Sequence, residues 1–196
     1  MRQSRRLLGV VLVLAVTTVG CASTGSGDIV SEARKVGSFD RIEVSSGIAV
    51  EITVDPAASA GVTSIYDDNL QDKIITEVND ETLVIEVRGN VIAPGSGRMV
   101  RVAMPVLIGL LADGGAYVQG VGAADRLELR AEGGAAIDLE DMVVQTMDIG
   151  LEGGSNATVN ALLEIAGQVT GGATLTLTNS PASRDLDVSG GGKVSG

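Results

Sequence analysis

Residues 127–159 read LELRAEGGAAIDLEDMVVQTMDIGLEGGSNATV, and this stretch decides the fold. Leu127, Leu129 and Ala131 precede the pair Gly133-Gly134, and Ala135, Ile137 and Leu139 follow it. The same columns recur around Gly153-Gly154, with Met147, Ile149 and Leu151 before and Ser155, Ala157 and Val159 after. Small or apolar residues at every second position mark strands with one buried face. No i, i+3, i+4 spacing crosses the pairs, so each pair marks a bend between strands rather than a helix.

Working outward, glycine pairs begin at Gly114, Gly133, Gly153, Gly171 and Gly190, at intervals of 19, 20, 18 and 19 residues. Around Gly171 the columns hold Ile165, Gly167 and Val169, then Ala173, Leu175 and Leu177. Strand–GG–strand units at a fixed period predict an all-β parallel β-helix (β-solenoid) of about 19 residues per coil, each coil ~4.8 Å from the next. Glycine at the corner lets the chain turn without a Cβ meeting the neighbouring coil. An antiparallel meander would also use glycine pairs, but hairpin sandwiches turn every ~8–12 residues.

The register extends toward the N-terminus. In FDRIEVSSGIAVEITV (39–54), Ser46-Gly47 stands where a glycine pair belongs, flanked by Ile42 and Val44, then Ile48, Val50 and Ile52. The period then lapses. Leu83, Ile85 and Val87 alternate after the turn-like Asn79-Asp80-Glu81, which predicts a hairpin-like excursion at 74–88. Residues 92–98 read as a loop, and Met99–Leu111 re-enters the solenoid. The 39–54 segment, DNLQDKIITEVNDETLVIEV (68–87), the MPVL approach (104–107) and the GG-containing rungs together resemble the bacterial family described as putative auto-transporter adhesin, head GIN domain. The resemblance spans residues 38–195 and implies a β-helical, secreted or lipid-anchored domain with no established activity.

Composition agrees with such a coil and narrows its partners. Among 196 residues there are 27 Gly, one Phe, two Tyr and no Trp, so the core must be built from small aliphatic side chains. A formal charge of −11 argues against nucleic acid, whose phosphates reward clustered Lys and Arg. The absence of His removes His-based triads and most transition-metal sites, and a single Cys excludes an internal disulfide. That Cys is an address. Arg2, Arg5 and Arg6 precede an apolar run, Leu7–Val19, too short to cross a bilayer but suited to a signal sequence. Thr18-Val19-Gly20-Cys21 resembles a lipobox, with Thr18 departing from the usual Leu. The expected organisation is a lipoprotein signal peptide at 1–20, lipidated Cys21 with a flexible tether to residue 37, and a GIN-type β-solenoid at 38–196. Sixteen flexible residues would reach roughly 20–25 Å. Ala22 after the Cys resembles lipoproteins passed to the outer membrane, which implies an exported chain held in the envelope by its acyl groups.

Candidate chemistry lies on the outward columns. Asp113, Glu132 and Glu152 each precede a glycine pair, and stacked coils would set them ~5 Å apart. Such a column is a solvated acidic face or, with oxygen-only ligands, a candidate Ca²⁺ site; no other metal and no cofactor is implied. Tyr117 points outward after the first pair and is a candidate anchor for a protein or glycan ligand. Arg126 and Arg130 beside Glu128 and Glu132 are the nearest approach to a polysaccharide lyase or hydrolase cluster, although pairing of i, i+2 neighbours with adjacent rungs is the better account of them. The last coil, Leu186–Gly196, carries no helix over it and is a candidate surface for homo-oligomer pairing. The expected function is therefore a non-catalytic binding, adhesion or scaffolding module, with the polysaccharide-active enzyme as its alternative.

Overall fold

A computed structural model of the chain describes residues 22–93 and 95–196. The predicted signal peptide and Cys21 lie outside the described residues. The strands, in chain order, are β1 (Ser23–Thr24), β2 (Ile29–Arg34), β3 (Arg41–Val44), β4 (Ala49–Val54), β5 (Gly61–Asp67), β6 (Ile74–Asn79), β7 (Thr82–Val87) and β8 (Val91–Ile92). They continue with β9 (Met99–Met104), β10 (Gly109–Ala112), β11 (Tyr117–Ala131), β12 (Ala136–Leu151), β13 (Asn156–Val169), β14 (Thr174–Leu177), β15 (Ser183–Val188) and β16 (Lys193–Ser195). A single 3₁₀ turn, Asp68–Lys73, separates β5 from β6. The fold is all-β: one mixed 14-stranded sheet wraps nearly closed into a barrel-like shape, beside the small β1–β8 pair.

The glycine repeat becomes parallel ladders. On one side Leu110 pairs with Leu129, Leu129 with Ile149, and Ile149 with Gly167. On the other, Tyr117 pairs with Ala136, Ala136 with Asn156, Asn156 with Thr174, and Thr174 with Lys193. The inward columns read from the sequence are buried, from Leu127, Leu129 and Ala131 through Ala173, Leu175 and Leu177, with half-buried Gly167 the exception. Ser155 is the polar member of a column that holds Ala116, Ala135 and Ala173 on the neighbouring turns, and its hydroxyl donates to the Ala131 carbonyl at 3.0 Å.

The corners explain the pairs. In each, the first glycine has φ 57–62° and the second φ 77–88°. The turn is closed by a backbone bond three residues long, such as Ala135 N–H to Glu132 O at 2.9 Å and Ala173 N–H to Thr170 O at 3.0 Å. Two consecutive positive φ values make a tight primed turn, which β-carbons resist. The two glycines are needed for different reasons. A Cβ on Gly171 would stand 2.9 Å from the Gly153 nitrogen on the next coil, whereas one on Gly172 would meet nothing within 4 Å. The first glycine makes room for stacking, and the second only supplies the backbone angle.

Two expectations are corrected by the topology. The hairpin at 74–88 forms, as β6 and β7 paired antiparallel through Asp80 and Glu81 at φ 46° and 64°. It is not a bulge outside the wall, because β7 also pairs in parallel with β3, while β9 pairs with β4. The coil containing Ser46-Gly47 pairs directly with β10 and β11 on its other side. The segment from β5 to β9 therefore folds back beneath the first coil before the chain passes over it to β10. There it covers strand edges that would otherwise be unpaired, and β5 joins β9 and β2 antiparallel. The second correction concerns residues 22–37, whose small polar composition read as a tether. They contain β1, in parallel with β8, and β2, antiparallel to β5. All of β2 except Arg34 is exposed, so it shows no buried face to betray it in sequence.

Candidate functional site

Two of the concave regions bear on function, one on the regular coils and one where the chain begins. The first follows from the corner geometry. Gly114-Gly115 delivers the chain into β11 with Ala116 buried and Tyr117 turned outward, 42% exposed. Its ladder partners carry Ala136, Asn156 and Thr174, all too short to cover the ring. The result is a shallow groove of about 270 Å³ bordered by Tyr117, Asp138, Asn156, Thr158, Thr174 and Thr176. One aromatic face, a carboxylate, an amide and three hydroxyls are thus held by strands in fixed register. That combination offers stacking plus a row of hydrogen-bonding groups, the usual chemistry of recognition sites.

The acidic column is in register but does not converge. Ala112, Ala131 and Leu151 pair across successive strands, which places Asp113, Glu132 and Glu152 at equivalent points of neighbouring turns. Asp113 turns its carboxylate back to accept from the Gly114 N–H, while Glu132 and Glu152 extend into solvent. Among the described residues no three acidic side chains are grouped to hold a metal ion. Of the Arg–Glu cluster, Arg130 and Glu128 are taken up by the wall, while Arg126 and Glu132 are exposed. Arg130 bonds Asp148 at 2.8 Å and Glu128 at 3.3 Å, and Arg41 reaches Glu128 at 3.2 Å across the neighbouring rung.

The second region was not anticipated from the sequence. A wider cleft of about 690 Å³ lies at the first coil, bordered by Ala22, Ser46, Ala49, Tyr66, Ile92 and Arg98 among others. Behind the lining Arg98, Asp67 is fully buried and accepts from Arg98 Nε and, at 2.8 Å, from Arg98 Nη2. The Gly27 N–H donates to the same carboxylate at 2.7 Å. The Arg98 hydrogen bonds, with that backbone donor, hold the Asp67 carboxyl well below the usual carboxylate range against the opposing effect of burial. Burial pushes the Tyr66 hydroxyl up to about 12, with the Arg98 charge pulling the other way. Asp67, Arg98 and the Gly27 N–H bond one another and staple β5 to the 95–98 loop. No spacing in the sequence joins Asp67 to Arg98, because the contact spans a non-repeating excursion.

The family described as "Putative auto-transporter adhesin, head GIN domain" matches the chain over residues 38–121 and again over 108–181. No curated protein matches it significantly. Several crystal structures share its fold at low sequence identity, among them the following three. A putative adhesin from Parabacteroides merdae ATCC 43184 is 16% identical with a TM-score of 0.64, covering 89% of this chain and 98% of its own. A putative adhesin from Bacteroides fragilis NCTC 9343 is 17% identical with a TM-score of 0.57, over 88% and 98%. A putative lipid binding protein from Parabacteroides distasonis ATCC 8503 is 12% identical with a TM-score of 0.53, over 89% and 99%.

Proposed function

Since this chain belongs to the family described as putative auto-transporter adhesin, head GIN domain, we propose that it is a non-catalytic lipoprotein of the cell envelope that binds saccharide through the Tyr117 groove. In this reading Cys21 carries the acyl anchor, the chain is exported and held at the outer membrane, and its parallel part is a β-solenoid of about 19 residues per coil. The observation that carries the binding role is Tyr117, a 42% exposed ring in a chain with only three aromatic residues, set over hydroxyl, amide and carboxylate groups on a rigid ladder. A sugar ring presents C–H faces for an aromatic and hydroxyls for the polar row, and pre-organised strands lower the ordering cost of meeting it. The Asp113–Glu132–Glu152 row is read as a solvated acidic edge that keeps the surface soluble.

The polysaccharide-cleaving alternative has less support, because Arg130 and Glu128 are spent on ion pairs between rungs. Self-pairing through the last coil is a further proposal: β15 and β16 each have one strand partner among the described residues, and sedimentation of the full chain at rising concentration tests it. For the binding role, the full chain is applied to an array of envelope and host-type glycans beside Tyr117→Ala. Retention of a defined subset, lost with the ring, supports the proposal. Equal retention by both chains, or shortened saccharides in the wash, counts against it.

A further inference from the structure

We infer that the surface formed by β1, β8 and the start of β2 rests on the phospholipid bilayer, so that the domain is seated on the membrane rather than suspended above it. The inference rests on the reading of Cys21 as the lipidated residue, and it begins with how early the chain becomes fixed. The Ser23 N–H donates to Asn90 O at 2.8 Å, and the Gly25 N–H to Ile92 O at 2.9 Å. Asn69 ties down the next turn, donating to Thr24 O at 2.9 Å and accepting from the Ser26 N–H at 3.0 Å. The Gly27 N–H then donates to the buried Asp67 carboxylate at 2.7 Å. Gly25 is pressed so closely on that carboxylate that a Cβ there would stand 2.6 Å from its carbon. Only Ala22 therefore separates Cys21 from a fixed strand. Two residue steps span at most about 7 Å, against the roughly 20–25 Å of a free 16-residue tether.

A short link brings whatever surrounds β1 against the lipid. Three of the exposed large apolar side chains lie on this surface, within reach of that short link. Ile92, the ladder partner of Thr24, is 53% exposed. Ile29 and Val30, at the start of β2, are also exposed. Ile29 lies beside the 95–98 loop, where its Cδ1 is 3.9 Å from the position of a Cβ on Gly97. The basic group of this region, Arg98, is already paired with Asp67, while Asp28 and Asp68 are exposed close by. The contact is therefore apolar seating directed by the acyl anchor, not attraction of a basic patch to anionic headgroups. It leaves the last coil, five strand spacings from β4 across β11, β12, β13 and β14 to β16, about 24 Å further along the stack.

The test uses the full chain, made in bacteria and recovered in its membranes, with a photo-crosslinking residue in place of Ile92 or, as the distant control, of the equally exposed Leu163. The mass of the N-terminal peptide reports the lipid on Cys21 independently. The expected result is a lipidated Cys21 with phospholipid adducts at least ten-fold more abundant at position 92 than at 163. Lipidated Cys21 with equal adducts at both, or none, overturns the seating while leaving the anchor standing. An unmodified Cys21 overturns both readings, and the peptide mass tells the two failures apart. If the substituted chains do not fold, amide exchange on the unsubstituted chain replaces them. Membrane-bound chain is then compared with Cys21→Ser: selective slowing at residues 91–93 and 95–98 supports the seating, and slowing everywhere or nowhere overturns it.

Discussion

Replacing Gly171 or Gly172 by alanine separates the two reasons for a glycine at a coil corner. Both residues have positive φ, 62° and 84°, so either alanine places an L-residue where its Cβ opposes a carbonyl, at a cost of about 1–2 kcal/mol. At Gly172 nothing else is disturbed, since no heavy atom lies within 4 Å of the new methyl. At Gly171 the methyl would stand 2.9 Å from the Gly153 nitrogen and 3.5 Å from its Cα. Those are backbone atoms of a neighbouring turn and cannot rotate aside, so the coils must separate locally. Overpacking of that kind costs about 1–3 kcal/mol more. The expected loss is therefore about 2–5 kcal/mol for Gly171→Ala against about 1–2 for Gly172→Ala. Urea unfolding of the full chain, followed by far-ultraviolet circular dichroism, reads the difference as a shift in midpoint. Equal midpoints, or a larger loss at Gly172, would refute the claim that the first glycine is required by stacking. Ser46, a side chain at φ 63° in the first coil, shows that the angle alone is bearable.

Three other outcomes follow from particular contacts. Because Asp67 is held below the usual carboxylate range when folded, the unfolded chain takes up its proton first as pH falls; the stability it contributes is whole above about pH 4 and is lost below that. The thermal midpoint of the native chain should fall more steeply from pH 4 to pH 2 than that of Asp67→Asn, whereas parallel curves would show that the Arg98 pair contributes nothing. Gly25→Ala should loosen the N-terminal clasp, since its Cβ meets the Asp67 carboxylate at 2.6 Å; exchange of the 23–27 amides should accelerate while those of β12 stay slow. Ser155→Ala should change stability by less than about 1 kcal/mol, because the Ala131 carbonyl it releases still accepts from the Glu152 N–H at 2.9 Å and alanine already fills the same column elsewhere. A larger loss in chemical denaturation would mean the hydroxyl serves a partner not identified in the column.

The regular coils were legible because each rung repeats the same physical problem. Leu129, Ile149 and Val169 must face inward and Gly133, Gly153 and Gly171 must clear the next turn, so period and burial are written in the sequence together. The start of the chain repeats nothing. β2 is an exposed edge strand, and IVSEAR shows no alternation to distinguish it from a linker. The order in which coils stack around the excursion was hidden as well, because β7 and β9 satisfy the same alternating pattern whether they lie beneath the first coil or beyond it. Of the candidate site, Tyr117 was visible as an outward aromatic beside a glycine pair. Its polar neighbours Asn156, Thr158, Thr174 and Thr176 became a groove only when four successive strands were superimposed. Asp67 and Arg98 left no sequence trace: their pairing depends on a fold-back that the repeat does not encode.

The most direct test of the account is equilibrium binding of the full chain to the best-retained saccharide, compared with Tyr117→Phe and Tyr117→Ala after all three show the same unfolding midpoint. Phenylalanine keeps the stacking face and should bind within about three-fold of the native chain. Alanine removes it and should weaken binding at least ten-fold, about 1.4 kcal/mol. Equal binding by all three chains would contradict the account, because the ring over the groove would then have no part in recognition.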